Sequence, residues 1–507
     1  MDVTEPSERT ADPFELDDLA PMVSGPALER ARALGCDHAE VRVERIRTQL
    51  VVLRDGTVQT VVDDVELGAG MRVVRRGGLG FAGGDELSAD AGAGLAAAAV
   101  SLAEQCAPAV RRPVVLAAEP VHGPATWVGA HRVDPTAVPL ADKVATLQGW
   151  SEELLRRPGV SHVLAQVMAV AEEKHYADLA GTAVRQFRVR THPVVEAVAV
   201  AGDGSFETMR TLAPPTARGW EYLSGEGADL EGEVAALAEL LAEKLRAPSV
   251  EPGPTDLVID PSNLWLTIHE SVGHALELDR ALGYEAAYAG TSFATVDQLG
   301  SLRYGSPLMH VTGDRTVAHG LATVGYDDEG VAAQSFDLVR DGMMVGYQLD
   351  RRMAAEQGLG RSNGCAFADS PLHVPLQRMA NVSLQPDPDG PSTDELVAGT
   401  DHGILVVGDK SWSIDMQRHN FQFTGQRFYR IERGRLVGQL RDVAYQSRTT
   451  DFWRSMDAVG GPGTWVLGGA MNCGKGQPGQ VAPVSHGCPV ARFRQVNVLN
   501  ARAESGR

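Results

Sequence analysis

Cysteine is scarce: five in 507 residues, at positions 36, 106, 365, 473 and 488. So odd and sparse a set argues against a disulfide framework and fits a reducing compartment. Most of the five are expected to serve as small buried apolar residues. No apolar run approaches the roughly 18 residues that a membrane-spanning helix requires, so no span is expected. The N-terminal stretch M-D-V-T-E-P lacks the basic start and apolar segment of a secretory signal. The expected location is cytoplasmic. A basic surplus is also missing: 46 Lys and Arg face 66 Asp and Glu, a formal charge of −20. Such a chain is poorly equipped to neutralise a phosphate backbone, so nucleic acid is not expected as a direct ligand.

What is present is the composition of a globular protein, 43% apolar and 22% charged. Residues 1–25 are acidic and read as a flexible arm. Residues 26–106 read as an α+β domain. Ala27–Leu34 is expected as a helix, Ala39–Val43 as a strand, and Arg54-Asp55-Gly56 as a hairpin turn. A strand–turn–strand unit over Ala69–Ala82 and an alanine-rich helix over Ala89–Gln105 follow. Residues 107–250 read as a middle α+β region with helices at Ala141–Leu155 and Glu231–Lys244. Its strands are expected at Val160–Glu172, at Glu173–Val189 running through Ala180-Gly181-Thr182, and at Val194–Ala201 before a turn at Gly202-Asp203-Gly204. Residues 251–507 punctuate short alternating runs with glycine, the pattern of a strand-rich sandwich or barrel. The fold class is therefore α+β: antiparallel strands and helices first, then a β-rich domain.

One stretch of that last domain reads as chemistry before packing. Residues 268–278 spell I-H-E-S-V-G-H-A-L-E-L, with His269 and His274 as candidate metal ligands and Glu270 as a candidate base. The histidines are five apart, not the four of H-E-x-x-H. Five steps of about 100° splay two rings by roughly 140° on a regular helix. An i→i+5 turn realigns them, and Gly273 is where such a distortion is expected to cost least. The bland alternative is a pair of hydrogen-bonded core histidines.

A catalytic zinc takes three protein ligands. Candidates for the third are acidic residues, His310, His319, His402, His419, His486 and the late cysteines. Cys473 is favoured on local chemistry: it sits in G-G-A-M-N-C-G-K-G, expected as an irregular loop, with Lys475 nearby to favour thiolate. Cys488, in S-H-G-C-P, is the next candidate.

These motifs resemble the TldD branch of the TldD/PmbA zinc metallopeptidases. The likeness runs from about residue 26 to 498 and includes H-E-S-V-G-H at 269–274, E-L-D at 277–279, G-Y-D-D-E-G-V at 325–331, P-x-x-R-M-x-N at 375–381 and N-C-G-K-G-Q-P-G-Q at 472–480. The resemblance implies zinc on His269, His274 and Cys473, with Glu270 as catalytic base. It implies peptide-bond hydrolysis in extended or unfolded peptides, with family roles in antitoxin turnover and peptide maturation; older naming calls members of the family modulators of DNA gyrase. It also implies a dimer, with a PmbA/TldE-like partner subunit or with a second copy. Two segments depart from the family pattern, L-D-R-A-L-G-Y-E at 278–285 and S-H-G-C-P-V-A at 485–491, where a valine- and glycine-rich run is usual. One rival reading is a non-catalytic peptide-binding subunit whose structural metal takes His486 or Cys488 as a fourth ligand. Another is a thiol enzyme using Cys473 as nucleophile.

Overall fold

The computed structural model describes residues 14–202 and 204–504. Much of the arm expected over 1–25, and Asp203 of the expected turn at 202–204, lie outside the described residues. The described part of the arm is built into the fold. Leu16 is buried, and helix α1 (Leu19–Ala33) turns Ala20, Val23, Ala27 and Ala31 into the core. That stripe has helical spacing, and the acidic residues and prolines around it mask it in the sequence.

Strands β1 (His38–Arg54), β2 (Thr57–Arg75) and β3 (Gly78–Gly84), helix α2 (Ala89–Cys106), β4 (Ala125–Val128), helix α3 (Leu140–Leu155), β5 (His162–Asp178), β6 (Ala183–Val200), β7 (Phe206–Arg210) and helix α4 (Leu230–Arg246) follow in chain order. Their strands form one sheet in the order β3-β2-β1-β5-β6-β4, with β7 also on β6. The sheet thus crosses residue 106, because β1 pairs with both β2 and β5. The expected hairpin at Arg54-Asp55-Gly56 is present. Asp55 and Gly56 adopt φ of 51° and 74°, the positive values that a two-residue hairpin turn requires. The strand expected to run through Ala180-Gly181-Thr182 instead breaks there. Asp178 Oδ1 accepts from the N–H groups of Gly181 and Thr182, both at 2.9 Å, and Gly181 takes φ of 108°. Beyond the turn β6 runs unbroken to Val200, absorbing the separate strand expected at 194–201.

Helices α3 and α4 cover one face of this sheet. Lys143 of α3 is fully buried there and donates to Gln49 Oε1. Burial, then the charge of Arg47, pushes its ammonium down to about 8 from 10.5. A depressed folded-state pKa contributes stability that is present above pH 10.5 and lost as pH falls through 8. Denaturant unfolding at pH 7 to 10 should therefore show the wild type gaining on Lys143→Met as pH rises from 8. A pH-independent difference between the two would contradict this.

The second half holds β8 (Gly253–Ile259), helix α5 (Pro261–Ile268), β9 (Val311–Asp314), β10 (Ser335–Arg340), β11 (Met343–Met344), β12 (Ala366–Phe367), β13 (Leu376–Gln377), β14 (Asn381–Leu384) and β15 (His402–Ile414). It continues with β16 (Asn420–Glu432), β17 (Arg435–Leu440), β18 (Val443–Arg448), β19 (Met456–Val459), β20 (Val466–Lys475), β21 (Gln480–Cys488) and β22 (Ala491–Asn500). Five of these close into a ring, β8-β22-β18-β16-β15 and back to β8, a barrel-like arrangement. The aromatic rings of Phe421, Phe423, Tyr445, Phe452 and Phe493 pack together in its core. Asn263 of α5 ties the helix to three strands: its amide donates to the carbonyls of Gly408 and Thr424 and accepts from the Tyr445 hydroxyl. The β20–β21 hairpin packs on α5 from outside the ring, with β14 alongside β21.

The two halves meet through a buried ionic layer. Arg72 of β2 bridges Glu40 and Glu329, each at 2.7 Å. Lys174 holds Asp328 at 2.5 Å, and Arg188 and Arg190, which hold Glu172 within the first half, donate across the layer to the carbonyls of Thr323 and Leu321, both at 3.4 Å. Among the described residues no helix is long and apolar enough to cross a membrane.

Candidate metal centre

Helix α5 starts where the sequence allows it to. Asp260 Oδ1 accepts from Ser262 N–H at 2.9 Å, and Pro261 occupies the first helical position, where its missing N–H costs nothing. The helix widens at His269. Over His269–Gly273 the backbone makes an i→i+5 turn, with His274 N–H donating to the His269 carbonyl, and a tight turn over His274–Leu276 follows. A widened turn leaves carbonyls to be satisfied from outside. Tyr304 OH donates to the Ser271 carbonyl, and Gln348 Nε2 donates to that of Gly273 at 2.8 Å. Ser271 Oγ donates to Thr267 O at 2.5 Å and accepts from Trp453 Nε1 at 2.9 Å. The outcome is the realignment that five-residue spacing demands: the His269 and His274 rings lie 4.6 Å apart, centroid to centroid.

Gly273 serves a different purpose from the one expected. Its φ is −54°, ordinary helix, so no special conformational freedom is used. A Cβ there would come within 2.5 Å of Met379 Sδ. The glycine supplies room.

Cys473 lies on β20, not in an irregular loop. It pairs with Ala482 of β21 just past a register shift between Ala470 and Cys473. The glycines that suggest a loop are there for close packing: a Cβ at Gly468 would meet Trp265, and one at Gly469 would meet the Val484 carbonyl. Cys473 Sγ stands 3.6 Å from His274 Nε2, and Arg378 Nη2 approaches it at 3.4 Å. His269, His274 and Cys473 are the one group of three such side chains, among the described residues, whose ligand atoms all fall within 4.8 Å of one another.

Each ring has its Nδ1 engaged. That of His274 meets Glu277 Oε2 at 2.8 Å, and that of His269 meets His486 Nε2 at 2.7 Å. The Nε2 atoms are thereby left for a metal, the arrangement by which outer partners orient metal-binding imidazoles. Glu277 and Asp279 are in turn held by Lys475 at 3.1 and 2.9 Å. Lys475 thus binds the acidic residues after the motif; Arg378, not Lys475, is the cation beside the thiol. Burial lowers the pKa of both His269 and His274, favouring the neutral rings that a metal requires. Burial alone would raise the Cys473 thiol, but His274 and Arg378 outweigh it and hold the group below its usual range. Two neutral imidazoles and a thiolate-prone sulfur are a donor set that fits zinc.

Glu270 stands beside these ligands, nine-tenths or more buried. Its Oε2 accepts from Arg418 Nη1 at 2.6 Å, while no donor among the described residues meets Oε1. Arg418 sits at the tip of the β15–β16 hairpin. The Asp415 carboxylate gathers the N–H groups of Gln417, His419 and Asn420 at 2.9 Å each, and Thr449 Oγ1 donates to the Arg418 carbonyl. The rival ligands lie elsewhere. Cys488 Sγ faces the Pro261 carbonyl at 3.6 Å, and burial pushes its thiol well above the usual range. His310, His319, His402 and His419 are outside the cluster. Sequence reasoning missed Glu277, Arg378 and Arg418 as parts of the site. Glu277 carries a local signal, three residues past His274 in the E-L-D run, and Arg378 lies in the P-x-x-R-M-x-N run at 375–381; Arg418, at a distant hairpin tip, carries none.

Two family models match the chain: the PmbA/TldA metallopeptidase C-terminal domain over residues 252–500 and PmbA/TldA metallopeptidase domain 1 over residues 39–103. A metalloprotease of Methanothermobacter thermautotrophicus is 27% identical over 471 residues, covering 91% of this chain and 95% of its own. The metalloprotease TldD homolog of Haemophilus influenzae is 23% identical, with 91% and 92% covered. Among solved structures, a Thermotoga maritima protein named for modulation of a DNA gyrase superposes with a TM-score of 0.73 at 14% identity, covering 94% of this chain and 99% of its own. TldE from Thermococcus kodakarensis does so with a TM-score of 0.68 at 16% identity, covering 93% and 98%. The five-spaced histidines on a widened helix, the α+β architecture and both matched domains lead to one conclusion: this chain belongs to the TldD/PmbA family of metallopeptidases.

Proposed function

We propose that the chain is a zinc-dependent, TldD-like catalytic subunit that hydrolyses peptide bonds in extended or unfolded peptides. The observation that carries this reading is the convergence of His269, His274 and Cys473 to within 4.8 Å, with Glu270 directly after His269 in the same widened turn. The name of a Saccharolobus solfataricus relative, zinc metalloprotease TldD homolog, at 24% identity over 302 residues, supports the choice of metal. Zinc held by these three residues would supply a Lewis acid and an acidified water. Glu270 takes the proton of the attacking water on Oε1 and returns it to the leaving amine. Arg418 holds Oε2, so the carboxylate keeps one orientation and offers its unpaired oxygen. Burial of the whole group excludes bulk water and strengthens these interactions. Dimerisation with a PmbA/TldE-like subunit or with a second copy, and roles in antitoxin turnover or peptide maturation, belong to the same proposal.

Two features favour this reading over its rivals. His486 Nε2 is occupied by His269 and Cys488 faces a backbone carbonyl, so neither is poised as the fourth ligand of a closed structural site. A thiol enzyme leaves the buried Glu270–Arg418 pair without a role. Dialysis against a strong zinc chelator should abolish hydrolysis of unstructured peptides, and stoichiometric zinc should restore it. Activity that survives chelation but is lost on alkylation of Cys473 would overturn the metal reading in favour of the thiol.

A further inference from the structure

We infer that His486 is a positioning residue that fixes the tautomer and orientation of His269 and thereby sets the affinity of the metal centre. The inference rests on the metal-site reading above and assigns a residue outside the ligand set.

The relay starts at a carbonyl on another strand. His486 Nδ1 stands 2.8 Å from the Val382 carbonyl of β14. A carbonyl only accepts, so Nδ1 carries the hydrogen. Among the described residues no carboxylate hydrogen-bonds to His486, and the ring is fully buried, so it is the neutral imidazole with a lone pair on Nε2. That lone pair faces His269 Nδ1 at 2.7 Å, which must therefore donate. With its hydrogen on Nδ1, His269 can present only Nε2 as a lone pair. The protonation of a metal ligand is thus dictated by one backbone carbonyl, relayed through one imidazole.

The relay is mechanically fixed. The His486 ring stacks on Trp265 of α5, 6.2 Å between centroids and 13° between planes. Its strand is pinned on either side: Leu321 N–H donates to Ser485 Oγ at 3.0 Å, and Gly487 N–H donates to Ser383 Oγ at 2.9 Å. The two metal imidazoles are therefore supported differently. His274 leans on the Glu277 carboxylate, whereas His269 leans on a neutral ring that adds no further negative charge beside a thiolate and two carboxylates.

The test compares variants of the full chain loaded with zinc. His486→Phe keeps the ring shape and removes the acceptor; His486→Gln keeps an acceptor near the position of Nε2. Zinc dissociation constants are read by competition with a chromophoric chelator, alongside the visible spectrum of the cobalt-substituted forms. The Phe variant should bind zinc about 10- to 100-fold more weakly, with an altered cobalt spectrum, and the Gln variant should recover most of the loss. Should the Phe variant not fold, His486→Leu is the second acceptor-free form and carries the same expectation. An acceptor-free variant that binds zinc as tightly as the wild type would overturn the inference. So would a Gln variant as weak as the acceptor-free one, which would assign the effect to ring packing. A wild type that binds no zinc at this site would instead overturn the metal reading beneath both.

Discussion

Glu270→Gln should retain its zinc and lose peptidase activity by about 10²- to 10⁴-fold, the span that a positioned general base contributes. The substitution is nearly isosteric. Arg418 Nη1 can still donate to the amide oxygen where it now meets Oε2 at 2.6 Å. The His269, His274 and Cys473 side chains are untouched, so the metal should remain. What disappears is the basic oxygen. Steady-state rates on a mixture of unstructured peptides, read beside the zinc content of the same sample, separate the two effects. A Gln variant that hydrolyses peptides within a few-fold of the wild type would move the base to another residue.

The second large effect lies far from the metal. Arg72→Met should destabilise the protein by about 3–5 kcal/mol, because it leaves two buried carboxylates without their cation. Glu40 and Glu329 each lose a 2.7 Å contact, and neither side chain is more than 2% exposed. Burial opposes ionisation of Glu40, yet Arg72 and then His38 hold its pKa down to about 2, so it carries its charge at neutral pH. The midpoint of thermal unfolding should fall by several degrees. Arg47→Met is the control. Arg47 and Asp63 also pair at 2.8 Å, but both are 30% exposed, and such pairs contribute roughly 0–1 kcal/mol. Equal midpoints for the two variants would mean that the buried layer between the halves adds nothing beyond a surface pair.

Much of this architecture can be read directly in the sequence, and the exceptions share a cause. The hairpin at Asp55-Gly56 is legible because its positive φ values call for particular residues. The widened turn at His269–Gly273 is legible from the spacing of two residue types that must meet. In both cases local chemistry decides the local structure. The break at Ala180-Gly181-Thr182 is not legible, because valine- and alanine-rich runs flank it and the Asp178 side chain that builds the turn looks like one more strand residue. Cys473 reads as a loop residue because glycine usually signals turns; here glycines 468 and 469 make room for Trp265 and for the neighbouring strand. The closed ring depends on β22 returning to β8 across more than two hundred residues, which no local pattern encodes. For the same reason Arg418 reaches the site unannounced, and His486, a candidate ligand in the sequence, arrives as the partner of a ligand instead: their positions follow from a hairpin tip and from strand register, not from motif spacing.

The central claim is that His269, His274 and Cys473 hold one zinc beside Glu270. Elemental analysis of purified wild type, His269→Ala, Cys473→Ala and Cys488→Ala tests it most directly. About one zinc per chain is expected in the wild type and in Cys488→Ala, and little or none in the other two, since a catalytic zinc needs all three of its protein ligands. Full zinc occupancy in Cys473→Ala, or loss of zinc from Cys488→Ala, would contradict it.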